Sequence, residues 1–234
     1  IKPILRGRDI KRYCYEWAGL WVIFIPWHFP LHNDPSIHGA SDKAEKEFMK
    51  QYPVIYNHLL KYKEPLSKRN KEETGIRYEW YALQRCAATY YHEFEKNKII
   101  YPNMTKFLPF VIDSNQMYAN QKCFILTSDK APLKYLLAYF NSSVSSMWIK
   151  NNCPELQGGT RELSYIFFQN IPLPPITSAN EPMVHQIELL VDRILSAKKD
   201  KPSADTGEWE REIDRLVYRL YDLTEEEIRV VEGR

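Results

Sequence analysis

Apolar residues recur along this chain at helical spacing in some stretches and as short unbroken runs in others. Met183, Ile187, Leu190, Val191, Ile194 and Leu195 fall three or four apart, and Trp209, Ile213, Leu216, Val217 and Leu220 repeat the pattern. Each set lines one face of a helix, which predicts two amphipathic helices separated by a polar loop over residues 198–207 that carries Pro202. The stripes are too short and imperfect for a sustained coiled coil, so a hairpin packed on itself or on the body is predicted. Thr224 and Glu227 stand at capping-box spacing and predict a short third helix. Upstream, Leu133, Leu136, Leu137, Phe140, Val144 and Trp148 predict one core-facing helix with Pro132 near its start. Ser41-Asp42 opens a charged helix through Phe48, with Asp42 and Glu45 at capping-box spacing, and Pro53 starts another running through Leu59, Leu60, Tyr62 and Leu66.

The unbroken runs read as strands. Residues 20–25 form one, ended by Pro26, and Lys98-Ile99-Ile100-Tyr101-Pro102 forms a second. Residues 107–112 and 122–126 predict two more, joined through Asp113-Ser114-Asn115-Gln116. After Gln157-Gly158-Gly159-Thr160-Arg161 comes a short apolar run, 163–168, and then Ile171-Pro172-Leu173-Pro174-Pro175, which ends regular structure. The expected fold is α/β in the mixed α+β sense. A body over residues 1–178 carries short strands and packed helices, and a helical tail spans 179–234.

Length changes this little: 234 residues suffice for one large domain or two small ones. Cys14, Cys86, Cys123 and Cys153 are far apart with no CxxC pair, which argues against structural zinc and for free thiols in a reducing cytoplasm. No apolar run approaches the length of a membrane span. The chain starts at Ile1 without Met and reads as a piece of a longer polypeptide. Charge adds more. From Pro202 onward there are ten acidic against five basic residues, a balance of −5, which leaves +7 on the preceding 201. A basic body suits a polyanion and an acidic tail suits a protein partner.

Candidate chemistry is concentrated in a few places. Lys2, Arg6, Arg8, Lys11 and Arg12 put five cations against Asp9 alone in the first dozen residues. Arg6 and Arg8 flank Gly7, so a tight turn could present both guanidinium groups, or Asp9 could pair with one of them in a solvated turn. His28, His32 and His38 with Asp34 invite a metal reading, but Pro30 between the first two makes a helix presenting both improbable, and a polar loop is expected. Lys61, Lys63, Lys68 and Arg69 could meet phosphates or simply face solvent. Residues 79–85 join Trp80 and Tyr81 to polar reach. Asn103, Thr105 and Lys106 follow a strand on an exposed loop. Gly158-Gly159 can take positive φ and bring Gln157, Thr160 and Arg161 close to a ligand, or can form a plain turn. There is no GxGxxG, no Walker A loop, no Gly-x-Ser-x-Gly elbow, no Asn-Pro-Pro-aromatic tetrapeptide and no Pro-Asp acid followed by acid-x-Lys. The chain does not read as a complete enzyme, and neither catalytic nor metal residues are assigned.

Taken in order, several stretches resemble one known family. They are Pro3-Ile4-Leu5-Arg6-Gly7-Arg8-Asp9-Ile10-Lys11-Arg12-Tyr13, the region from Pro53 to Arg69, Trp80-Tyr81, Lys98-Ile99-Ile100-Tyr101-Pro102, Leu136 to Asn141-Ser142, and Gly158-Gly159-Thr160-Arg161 through Pro175. Together they resemble the TaqI-like C-terminal specificity domain over residues 1–178. That family supplies target recognition to type IIG-like restriction–modification enzymes, which join methyltransferase and endonuclease in one polypeptide; a type I specificity subunit is a close relative. The resemblance implies double-stranded DNA as partner and an upstream methyltransferase or endonuclease domain in the same polypeptide. S-adenosylmethionine and Mg²⁺ would belong only to those upstream domains, with no cofactor in this chain. Base-reading residues of the family lie in variable loops and do not carry over. From the residues themselves, the expected DNA-binding set is Arg6, Arg8, Lys11, Arg12, Trp80, Lys98, Tyr101, Asn103, Lys106, Gln157, Thr160 and Arg161. Other classes remain open: an assembly module acting through its helices, or a stand-alone nuclease. Steep salt dependence of binding distinguishes a DNA reader from an apolar helix interface.

Overall fold

Strand β1 (Lys2–Leu5) runs into a single 3-10 turn over Gly7–Asp9, and a two-residue strand β2 (Trp21–Val22) follows. Helices α1 (Asp42–Gln51), α2 (Pro53–Leu60) and α3 (Lys63–Ser67) come next. Then come β3 (Lys98–Pro102), β4 (Met104–Thr105), β5 (Val111–Asp113), β6 (Tyr118–Ala119) and β7 (Cys123–Leu126). Helices α4 (Leu133–Phe140) and α5 (Ser143–Asn152) precede β8 (Glu155–Leu156), β9 (Thr160–Glu162) and α6 (Tyr165–Phe168). The chain ends in α7 (Glu181–Asp200), α8 (Gly207–Leu220) and α9 (Glu225–Glu232). This computed structural model describes residues 1–69, 78–84, 86 and 90–234. Arg85, at the end of the aromatic stretch, lies outside them. The architecture is mixed α/β, as the hydrophobic pattern predicts.

Two compact units divide the chain, one formed by Ile1–Lys2 with Trp21–Glu93, the other by Pro3–Leu20 with Phe94–Arg234. In the first, Ile25, Phe48, Tyr56, Tyr81 and Ala82 make the core. Ser41 caps α1, its Oγ accepting from Ala44 N at 3.2 Å, and Pro53 occupies the first turn of α2, where its missing N–H costs nothing. The run 20–25 was expected as a buried strand; only Trp21–Val22 is extended in a ladder, Trp21 is 59% exposed and Ile25 alone is buried. An apolar run has no means of choosing its ladder, and this one delivers a single anchor to the helices instead. The helix expected from Pro53 to Leu66 breaks at Lys61-Tyr62 into α2 and α3. His28 is used locally: its backbone N and its Nδ1 meet the buried Glu79 carboxylate at 2.7 and 3.0 Å, and Ser41 N donates to the same group.

The second unit is built around the antiparallel sheet β5-β3-β7, in which Ile99 pairs with Ile112 and Leu126. All five residues of β3 are buried, because both faces of the sheet are covered. Ile99 and Tyr101 enter the large helical core, while Ile100 joins Leu5, Ile10, Val111 and Met117 in a smaller cluster. β1 pairs parallel with β6, Ile4 opposite Tyr118. A third small sheet, β4-β9-β8, sets Thr105 opposite Arg161 and Leu156 opposite Thr160.

Helices α4, α7 and α8 share one core with the sheet: Leu137, Ile187, Val191, Ile194, Ile213, Leu216 and Val217 are all buried in it. The helices beyond residue 178 are therefore part of the second compact unit rather than an appendage to it. The expected long helix from Leu133 to Trp148 is split. Asn141, almost fully buried, uses its amide to accept from Phe110 N at 3.2 Å and donate to Phe110 O at 3.0 Å, and Ser142 then caps α5 through Ser145 N. Asp214 on α8 accepts from Ser143 N and Oγ at 2.8 and 2.7 Å, binding that new helix start to the tail. The run 163–168 is likewise not a strand. Leu163 is buried, α6 follows, and Tyr165 and Ile166 face outward. The Pro-rich exit is held by tyrosines: Tyr135 and Tyr221 donate to the carbonyls of Pro174 and Pro172 at 2.9 Å each, and Tyr139 also donates to Pro172.

Candidate nucleic-acid interface

In the second unit the turn after β1 closes on itself. Arg6 N donates to Asp9 Oδ2 at 2.9 Å, and the Arg6 guanidinium meets the same carboxylate at 3.0 Å through Nε and 2.8 Å through Nη2. Burial pushes the Asp9 carboxyl up, but the Arg6 hydrogen bonds and the nearby charges of Arg6 and Arg8 outweigh it and hold the group below the usual carboxylate range. The turn lies against its neighbours: a β-carbon on Gly7 would stand at ordinary contact distance, 3.4 Å, from the Lys122 carbonyl oxygen and Pro102 Cβ.

A groove of about 980 Å³ opens beside this turn. Arg6, Gly7, Arg8, Lys11 and Arg12 line one part; Met104 to Phe107, Asn120, Lys122 and Thr160 line another, and Lys198 closes it from α7. Seven basic side chains face the space against one acidic lining residue, Glu16. Not all of that charge is available. Arg6 is spent on Asp9, and Arg12 donates to Glu210 on α8 through Nε at 3.1 Å and Nη2 at 2.5 Å. Arg8, Lys11, Lys106 and Lys122 are exposed and have no carboxylate partner among the described residues; Lys11 donates only to the Arg8 carbonyl, at 3.2 Å. Burial pushes the Cys14 thiol up despite nearby Lys198, which makes it a poor nucleophile.

The ladder between β4 and β9 brings the loop after β3 beside the Gly158-Gly159 turn. Both glycines have positive φ, 74° and 77°, and a β-carbon on Gly159 would lie 4.0 Å from Lys106 Cε. Gln157 is exposed on this turn and Thr160 reaches the groove. Arg161 is tied down, its Nη2 donating to Glu155 at 2.6 Å and its Nη1 to the Cys153 carbonyl at 3.3 Å. Asn103 is half-buried: its backbone N donates to Lys122 O at 2.8 Å and its carbonyl accepts from Leu163 N at 2.7 Å. Its side-chain oxygen is buried without a hydrogen bond among the described residues.

Three members of the expected set stand elsewhere. Lys98 is fully buried, its ammonium bonded to Asp113 at 2.6 Å and to the Phe94 carbonyl at 2.7 Å, so it holds a strand end rather than facing a ligand. Tyr101 is buried among Phe110, Phe124 and Phe168. Trp80 belongs to the first unit, where its Nε1 donates to Glu45 at 2.7 Å and Lys63 lies 5.1 Å from its ring. Conversely, Lys122, Lys198 and Phe107 line the groove and were not singled out from the sequence. Lys122 and Phe107 each read there as the start of a strand; only Pro109, which breaks the run after Leu108, hints otherwise. Among the described residues no group of three His, Cys, Asp or Glu side chains is placed to hold a metal, and no helix is long and apolar enough to cross a membrane.

A mixed α/β unit with a wide cationic groove, lined in part by the short β4-β9-β8 sheet, has the charge that suits a polyanion. The sequence profile of the TaqI-like C-terminal specificity domain matches residues 2–173, and the chain belongs to that family. It is thus a specificity domain of the kind that recognises DNA in restriction–modification enzymes. Among curated proteins no match is found.

Proposed function

We propose that this chain reads a specific sequence in double-stranded DNA and positions methyltransferase and endonuclease domains of the same polypeptide on it, without doing chemistry itself. The observation that carries this is the groove: four exposed cations without carboxylate partners surround hydrogen-bonding side chains that could meet base edges. Arg8, Lys11, Lys106 and Lys122 would grip phosphates. Gln157 and Thr160 lie on the turn beside them, whereas the Asn103 amide oxygen is buried and would reach a base only after the loop rearranges. Arg161 is a candidate for guanine only if it exchanges Glu155 for the base. S-adenosylmethionine and Mg²⁺ would act in the catalytic domains, in the cytoplasm.

The test is a selection of duplexes from a randomised pool by the purified chain, followed by titration of the recovered sequence and scrambled controls. A shared sequence motif with affinity falling steeply in salt supports the proposal. Recovery of no common motif, with equal binding to scrambled duplex, rejects sequence reading.

A further inference from the structure

Phe107 is the least expected side chain in the groove. The residue is 79% exposed, although it is a large apolar group in a stretch whose neighbours Leu108, Phe110 and Val111 are all buried. Its orientation is built. Thr105, at the end of β4, accepts from Phe107 N through Oγ1 at 3.1 Å. Leu108 takes a positive φ of 48°, a conformation unfavourable for a branched side chain, and this turns Leu108 inward as Phe107 turns outward. Met104, also exposed, adds a second apolar group to the same groove, and Lys106 and Lys122 stand beside it.

An apolar ring among unpaired ammonium groups is a poor match for an apolar protein surface, which would strip water from those charges without replacing it. It is a good match for nucleic acid, where the flat faces of bases lie between phosphates. Resting on the proposed DNA reading, we infer that Phe107 is a stacking wedge that inserts at one base step while Lys106 and Lys122 hold the flanking phosphates. The ring carries no charge, so its contribution is independent of salt; those of Lys106 and Lys122 are not.

The experiment uses the full chain and its selected duplex, with each position near the centre of the site replaced in turn by 2-aminopurine, whose fluorescence rises when it unstacks. Wild type should raise the signal at one base step. Phe107→Ala should abolish that rise and weaken binding about tenfold with an unchanged salt slope, and Phe107→Trp should restore both. Circular dichroism checks that each variant is folded, as expected for a solvent-facing position. An equal rise with Phe107→Ala, or no rise at any position with wild type bound, overturns the wedge while leaving DNA recognition standing. Failure of wild type to bind duplex at low salt overturns both.

Discussion

The four exposed cations without carboxylate partners make a quantitative demand on salt dependence, Lys198 being half-buried and bonded to the Ala204 carbonyl. If Arg8, Lys11, Lys106 and Lys122 each neutralise one phosphate, log affinity should fall with log salt at a slope of about −3.6, since each contact contributes about −0.9. Between roughly 50 and 200 mM salt, affinity then drops about 150-fold. Any one of these residues changed to Ala should flatten the slope by about 0.9 and cut the loss across that range about 3.5-fold. Arg12 should behave differently, because Glu210 already occupies its guanidinium. Arg12→Ala should leave the slope almost unchanged, whereas Glu210→Gln releases the Arg12 charge and should steepen the slope by up to about 0.9. Fluorescence anisotropy titrations of a labelled duplex at four salt concentrations measure this. A wild-type slope near zero, or one that ignores the Lys106→Ala and Lys122→Ala changes, would refute the assignment of the groove.

Other consequences concern stability. Lys98→Ala leaves the Asp113 carboxylate buried without its cation and should lower unfolding free energy by about 3–5 kcal/mol in urea titrations; a loss under about 1 kcal/mol would mean that water enters the site. Truncation before Pro202 removes Ile213, Leu216 and Val217 from the shared core. At about 1.5–3 kcal/mol for each buried side chain, the remainder should lose its cooperative thermal transition, and a sharp transition would show that the tail is dispensable. Asp9 has a lowered pKa, so the stability it contributes is present above the ordinary carboxylate value and is lost as pH falls through the depressed one. Acid titration below about pH 4 should therefore destabilise wild type more than Asp9→Asn, and identical acid limbs would contradict the pairing with Arg6.

Much of the helical structure is legible along the chain because its causes are local. The stripes of α7 and α8, the capping pair Thr224 and Glu227, the Ser41 cap and Pro53 all act within a turn or two of their own positions. The strand β3 is legible as well, since its run Ile99-Ile100-Tyr101 is apolar and ends at Pro102. Partners separated by long stretches of sequence decided the rest. Asn141 breaks a helical pattern only because Phe110, far upstream, presents an N–H and a carbonyl to it. Lys98 looks like a surface cation until the β3–β5 register sets it opposite Asp113. Arg6 and Arg12 are equally basic in sequence to Arg8, yet folding gives the first two carboxylate partners, one three residues away and one 198 away. Periodicity reports which face of an element avoids water, and caps report where it ends. Which charges cancel, and which are left facing an open groove, depends on distances that folding alone creates.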